Sequence, residues 1–313
     1  MVAQRWSSGT PSTSASPRDR RPAQPDVAEL QAADEARSTR PKWLIMDVCG
    51  AYMRPLGGWF PVAKLVVLMG QLGVDEQAVR SALSRLTKRE LLVPERRGGI
   101  RGYALASSAL PLLGDADRRI FAHTAPATVR EGWALVSFSI PEAERDKRHL
   151  LRSRLAWRGF GNLSSGLWMA PRRILAELTA DVTRLGLEEY VTVFEGNHCG
   201  FTDLAAVVRR CWDLESLREM YADFLLTAEP MLGKWEGVRR PPGQEAFVDY
   251  TVALNQWRKF PYLDPGLPLE LLPDGWEGRR AADVFFALRR KLEQPARRHV
   301  KATVFPDGPP PPD

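Results

Sequence analysis

Six side chains recur along residues 75–89 (DEQAVRSALSRLTKR): Gln77, Arg80, Ser81, Ser84, Arg85 and Lys88. All six carry donors able to meet base edges or phosphate oxygens. Val79, Leu83 and Leu86 interleave with them at helical spacing, so the stretch reads as a helix with one apolar and one polar, basic face. Asp75 is suited to cap its first turn, because a carboxylate there accepts from free backbone N–H groups. A second basic set follows in LLVPERRGGIRGYAL. Arg96, Arg97 and Arg101 flank a Gly98–Gly99 turn between two short apolar runs, a hairpin signature. Between residues 75 and 101 stand seven Lys/Arg and four Asp/Glu, a net charge of +3.

An apolar helix and a turn must position these groups. Residues 61–72 (PVAKLVVLMGQL) begin on Pro61, which suits a first helical position, and Val62, Leu65, Val66, Met69 and Leu72 share a face. Gly73 can end that helix in a left-handed cap. Helix, glycine turn, helix and basic hairpin is the order of a winged helix-turn-helix, in which the second helix enters the major groove. A plain helical hairpin with a solvated charged face has the same spacing.

The 313-residue chain has a net charge of +6, which permits a polyanionic partner. Its three cysteines, Cys49, Cys199 and Cys211, make no disulfide framework, and His198 beside Cys199 is no metal-ligand pattern. No catalytic residue, metal ligand or cofactor motif stands out. No apolar run has transmembrane length and no secretory segment opens the chain, so a cytoplasmic protein without a membrane partner is expected.

Composition and periodicity divide the chain. Residues 1–40, rich in Ser, Pro and Arg, read as a disordered tail. Residues 41–122 form the winged-helix unit, with a first helix at 43–53 and an exit helix at 107–121. Residues 130–203 alternate as β-α-β-(β)-α-β, a ferredoxin-like sandwich. In its first helix (142–158), Leu150, Leu151 and Leu155 face the core and six Lys/Arg point outward. Residues 204–295 read as helical: an apolar face over 204–226, a helix at 247–260, a Pro-rich crossing, and a last helix at 278–292. Residues 296–313 read as a tail. The fold class is α+β multidomain.

VRSALSRLTKRELL, LAWRGFGNLSSGLWMAP and WRKFPYLDPGLPLELLPDGWEGRRAADVFFALRRKL together resemble the PaaX family, bacterial transcriptional repressors of phenylacetate and related aromatic-acid catabolism. The resemblance spans about residues 43–295, and its third stretch is the most specific. It implies an N-terminal winged helix on operator DNA and a middle domain related to the CRISPR spacer-acquisition nuclease fold. It also implies a helical C-terminal domain, a homodimer, and release from DNA by an aryl-acetyl-CoA or related acyl-CoA effector. On that reading Arg80 pairs with a guanine, Arg85 and Lys88 hold phosphates, and Arg96, Arg97 and Arg101 set the wing on the backbone. Trp257, Arg258, Phe260 and Tyr262 are the candidate effector contacts, aromatics for an aryl or acyl group and an arginine for a phosphate. Arg279, Arg280, Arg289, Arg290 and Lys291 offer a second basic surface.

Two other readings stand beside this one. An acyl-CoA-binding or adaptor protein would use the helix pair only for packing. A metal-dependent nuclease would need an acid at the end of the first middle-domain strand, where SFSIPE places Ser139 and Ile140, with Glu142 and Glu144 on the helix beyond.

Overall fold

The computed structural model describes residues 41–122 and 125–308. The expected tail over 1–40 lies outside the described residues, as does the end of the chain from 309.

The first unit begins with α1 (Pro41–Val48), which runs into one π-helical turn (Cys49–Met53). Then come β1 (Trp59–Pro61), α2 (Val62–Gln71), α3 (Glu76–Lys88), β2 (Leu92–Arg97), β3 (Ile100–Leu105) and α4 (Ala109–Ile120). Gly73, at φ 78°, turns α2 into α3. The three strands form an antiparallel sheet in the order β1-β3-β2, with Leu92 opposite Leu105 and Arg97 opposite Ile100.

The middle unit contains β4 (Trp133–Phe138), α5 (Arg145–Trp157), β5 (Gly161–Ser164), β6 (Leu167–Pro171), α6 (Leu175–Leu185) and β7 (Val191–Gly196). Its antiparallel sheet runs β5-β6-β4-β7. Val136, Trp168 and Ala170 pack against Leu151 and Leu155 of α5 and Leu178 and Val182 of α6. Two expectations for α5 change. Leu150 is 42% exposed, because only positions 151 and 155, one turn apart, point at the sheet. Arg158 lies buried against Asp181 of α6 and is not on the outer face. On the opposite side of the sheet, Trp133 and Met169 meet Val208, Cys211 and Trp212 at α7 (Leu204–Cys211). Gly161 has no alternative there, since a Cβ would lie 2.7 Å from the Cys211 Cβ.

The last unit is helical: α8 (Leu214–Lys234), α9 (Gly243–Trp257), the single turn α10 (Phe260–Leu263) and α11 (Gly278–Val304). The apolar face expected over 204–226 belongs to two helices. Trp212 is extended and Asp213 caps α8, its side chain accepting from the Ser216 N–H at 3.0 Å. The last helix does not end at 292, and residues 296–305 are not a tail. Pro295 lacks an N–H, which disfavours a helix interior. Here it sits inside α11, and Ala296, Val300 and Val304 continue the buried stripe beyond it.

The first and last units share one apolar core, although the sequence divides them. Ile45, Val48 and Tyr52 pack with Phe247, Tyr250, Leu254 and Phe285. Polar contacts cross the same seam. Tyr52 Oη and Thr251 Oγ1 are 2.8 Å apart, Asn255 donates to Asp47 at 2.6 Å, and the Trp257 indole N–H donates to the Ile120 carbonyl at 3.1 Å.

Candidate nucleic-acid interface

The polar helix α3 is held by its cap and its buried stripe. Asp75 Oδ1 accepts from the Ala78 N–H at 2.8 Å. Val79, Ala82, Leu83 and Leu86 are buried, which turns Gln77, Arg80, Ser81, Ser84, Arg85 and Lys88 outward, all exposed. The β2–β3 hairpin stands beside this face. Gly98 (φ 52°) and Gly99 (φ 74°) make its turn in the left-handed region, which favours glycine.

Between α3 and the hairpin lies a cleft of about 420 Å³, lined by Arg80, Arg96, Arg101, Glu95 and Tyr103 among others. The strand register places Arg96 directly opposite Arg101. Like charges in that position repel, so this pair costs stability unless an anion lies between or over them. Arg80 joins them from the helix side. Its guanidinium is paired with Glu76 one turn back, at 2.6 Å, with both side chains more than half exposed. Such a pair contributes little and breaks readily for a stronger anion. Among the described residues no carboxylate forms an ion pair with Arg85, Lys88, Arg96 or Arg101.

Arg97 behaves differently from its neighbour. It pairs with Glu95 at 2.6 Å and lies over the Trp59 ring, 5.3 Å from its centroid. The expected basic set therefore separates. Arg80, Arg96 and Arg101 share the cleft, while Gln77, Ser81, Ser84, Arg85 and Lys88 continue along the exposed face. Arg97 folds back onto the sheet.

Sequence reading takes Gly102, with Gly98 and Gly99, as a glycine that lets the hairpin turn and approach closely, and misses Trp59. Trp59 is buried and its indole N–H donates to the Glu95 carbonyl at 3.3 Å, reaching across β3 to β2. It can cross there because residue 102 is glycine: a Cβ would stand 2.6 Å from the indole. The glycine in RGYAL was the available signal, since an isolated strand glycine marks a close approach.

The four expected effector residues do not line one opening. Trp257, 5% exposed, stacks on Phe285 at 4.8 Å, and Phe260, 1% exposed, stacks on Tyr221 at 4.2 Å. Both are core aromatics, because positions 257 and 260 share the inner face of the chain's turn into α10. Arg258 pairs with Asp47 at 3.2 Å and lies over Trp43. Tyr262 turns toward the middle unit, 4.8 Å from Trp157, with the Arg119 guanidinium also 4.8 Å over its ring. Of the second basic surface, Arg280 is paired with Glu229 and Glu277, and Arg289 with Glu293.

At the end of β4, Ile140 is buried and the Ser139 N–H donates to the Tyr190 carbonyl at 3.1 Å. Glu142 is paired with Arg148 and Glu144 with Lys147, so neither carboxylate turns toward a common point. Burial pushes the Cys211 thiol up to about 11.

Three family models align end to end along the chain. The PaaX-like protein model matches residues 40–109 and the PaaX protein central Cas2-like domain matches 126–208. The PaaX-like protein C-terminal domain matches 212–302. The chain belongs to the PaaX family. Among its relatives, the transcriptional repressor PaaX of Escherichia coli strain K12 is 28% identical over 255 residues, 80% of this chain and 79% of that protein. Among solved structures, uncharacterized protein Rv0674 from Mycobacterium tuberculosis superposes with a TM-score of 0.50. It is 20% identical and covers 81% of this chain and 97% of its own, a likeness of fold alone. The C-terminal PaaX match runs to residue 302 and so takes in most of the helix beyond Pro295.

Proposed function

We propose that this PaaX-family chain is a transcriptional repressor that binds operator DNA through a winged helix-turn-helix. α3 is the recognition helix and the β2–β3 hairpin is the wing. The observation that carries this reading is the convergence of Arg80, Arg96 and Arg101 on one cleft, with Arg96 and Arg101 opposed across the hairpin. Arg96 and Arg101, without an ion-paired carboxylate, and Arg80, whose exposed pair with Glu76 breaks readily, suit a phosphodiester backbone, where their repulsion turns into attraction. Arg80, in the N-terminal half of α3, is placed to reach a base edge, and Arg85 and Lys88 to hold phosphates.

The middle unit serves dimerisation, consistent with a β-α-β-β-α-β order and a ferredoxin-like sandwich. A two-fold pair of recognition helices matches a palindromic operator. An aryl-acetyl-CoA or related acyl-CoA thioester relieves repression. Family membership makes the chain a regulator and not an enzyme.

The test is fluorescence anisotropy with labelled DNA from upstream of the chain's own gene, with and without phenylacetyl-CoA. Tight, salt-sensitive binding relieved by the thioester supports the whole reading. Tight binding indifferent to it keeps the DNA claim and removes that effector. Binding no stronger than to random DNA, on this and on other candidate operators, favours an acyl-CoA-binding or adaptor role.

A further inference from the structure

Trp59 lies between two elements that the sequence gives no reason to connect. One ring face meets Phe305, at the end of α11, with centroids 6.2 Å apart and planes 16° from parallel. Arg97 of β2 also lies over the indole, and the indole N–H is bonded to Glu95 of the same strand. Phe305 is itself fixed. It is buried, and its N–H donates to the Lys301 carbonyl at 2.9 Å, closing the last turn of α11. Less than two turns earlier, His299 Nε2 meets Gln71 Oε1 of α2 at 2.9 Å. The end of α11 thus touches both the helix pair, at Gln71, and the hairpin, through Trp59.

We infer that Phe305 is a positioning residue for the basic hairpin: stacked on Trp59, it sets where β2, and with it Arg96, stands relative to α3. Residues 299–305 form a strut between the helix pair and the hairpin. The energetic logic is simple. A hairpin packed on one small sheet keeps considerable freedom, and the indole restricts it only while something backs the indole. An offset aromatic pair contributes about 0.5–1.5 kcal/mol beyond its buried area. The geometry of the phosphate-facing arginines in the first unit is therefore set by the last helix of the last unit. This inference rests on the DNA-binding reading for its functional consequence, but its structural part stands alone.

The test uses the full chain as Phe305→Ala, Phe305→Leu and Phe305→Trp. Amide hydrogen exchange without DNA should show residues 92–105 exchanging about tenfold faster in the Ala and Leu variants. Residues 133–196 should be unchanged, and Trp should restore the parent pattern. If Ala fails to fold, Leu carries the comparison, because it fills the space without a ring to stack. Equal acceleration throughout the chain, or none in 92–105, overturns the inference.

DNA affinity is then read by anisotropy with a labelled duplex from upstream of the chain's own gene. The Leu variant should bind about tenfold more weakly, with a salt slope shallower by about one. Affinity and slope equal to the parent's overturn the inference. If the parent itself binds no DNA, the function proposed above falls, while the exchange comparison still decides whether Phe305 positions the hairpin.

Discussion

Arg158 donates from Nε to Oδ2 of Asp181 at 2.5 Å, and the carboxylate is only 1% exposed. Arg154 and Arg184 close on the same Asp181, and Arg158 also reaches Glu177. The pair joins the C-terminal end of α5 to α6 inside the middle unit. Arg158→Ala leaves the buried Asp181 carboxylate with only Arg154 and Arg184 as partners, so it should destabilise by about 1–3 kcal/mol. Arg158→Met with Asp181→Leu should recover most of that loss. Chemical denaturation followed by tryptophan fluorescence reads both, and equal destabilisation by the single and double variants would contradict this account.

On the proposed DNA face, Arg80→Ala and Arg85→Ala should fail in different ways. The first should cost about 1–3 kcal/mol of discrimination at one base pair and relax the preference there. The second should weaken binding evenly across sequences and make the salt slope shallower by about one. Parallel anisotropy titrations on a set of single-base operator variants separate the two patterns. Identical profiles would mean that Arg80 also meets only the backbone.

Gly102→Ala tests the slot in which the indole lies. A Cβ there would stand 2.5 Å from the Phe60 carbonyl oxygen and 2.6 Å from the Trp59 ring. Backbone and a locked indole surround it, so neither yields cheaply. The expected cost is about 1–3 kcal/mol, accompanied by a red shift of Trp59 emission, which a Trp59→Phe background identifies.

His299 carries a pH dependence. Burial lowers its folded-state pKa. The unfolded chain therefore binds a proton more readily than the native one, and stability falls as pH drops from neutral through the ordinary histidine range. His299→Gln should flatten that part of the curve and leave the neutral-pH melting temperature nearly unchanged. Melting curves between pH 5 and 8 decide it.

Much of the first unit was legible because its signals are local. Asp75 caps α3 as its type predicts, Gly73 takes the left-handed turn, and the Val79–Leu83–Leu86 stripe is buried. The Gly98–Gly99 turn sits where the basic hairpin was expected. What failed was non-local. Trp257 and Phe260 looked like ligand contacts because aromatics beside an arginine suit both a pocket and a core, and only the packing of α9 against α4 and α11 decides between them. Arg97 looked equivalent to Arg96, but strand alternation and Trp59 draw it away. Residues 296–305 looked like a tail because their burial depends on partners from the start of the chain.

The core shared by the first and last units has a consequence in time. Tyr52 and the Thr251 that meets it are 199 positions apart. At about 5–20 residues per second, a ribosome takes about 10–40 s to deliver the second after the first. Through that interval the inner face of α1 and the π-helical turn after it, with Ile45, Val48 and Tyr52, has no α9 or α11 to cover it. The nascent chain must carry an open apolar surface while the middle unit, whose own core is local, emerges and closes. The first unit is made early but finished last.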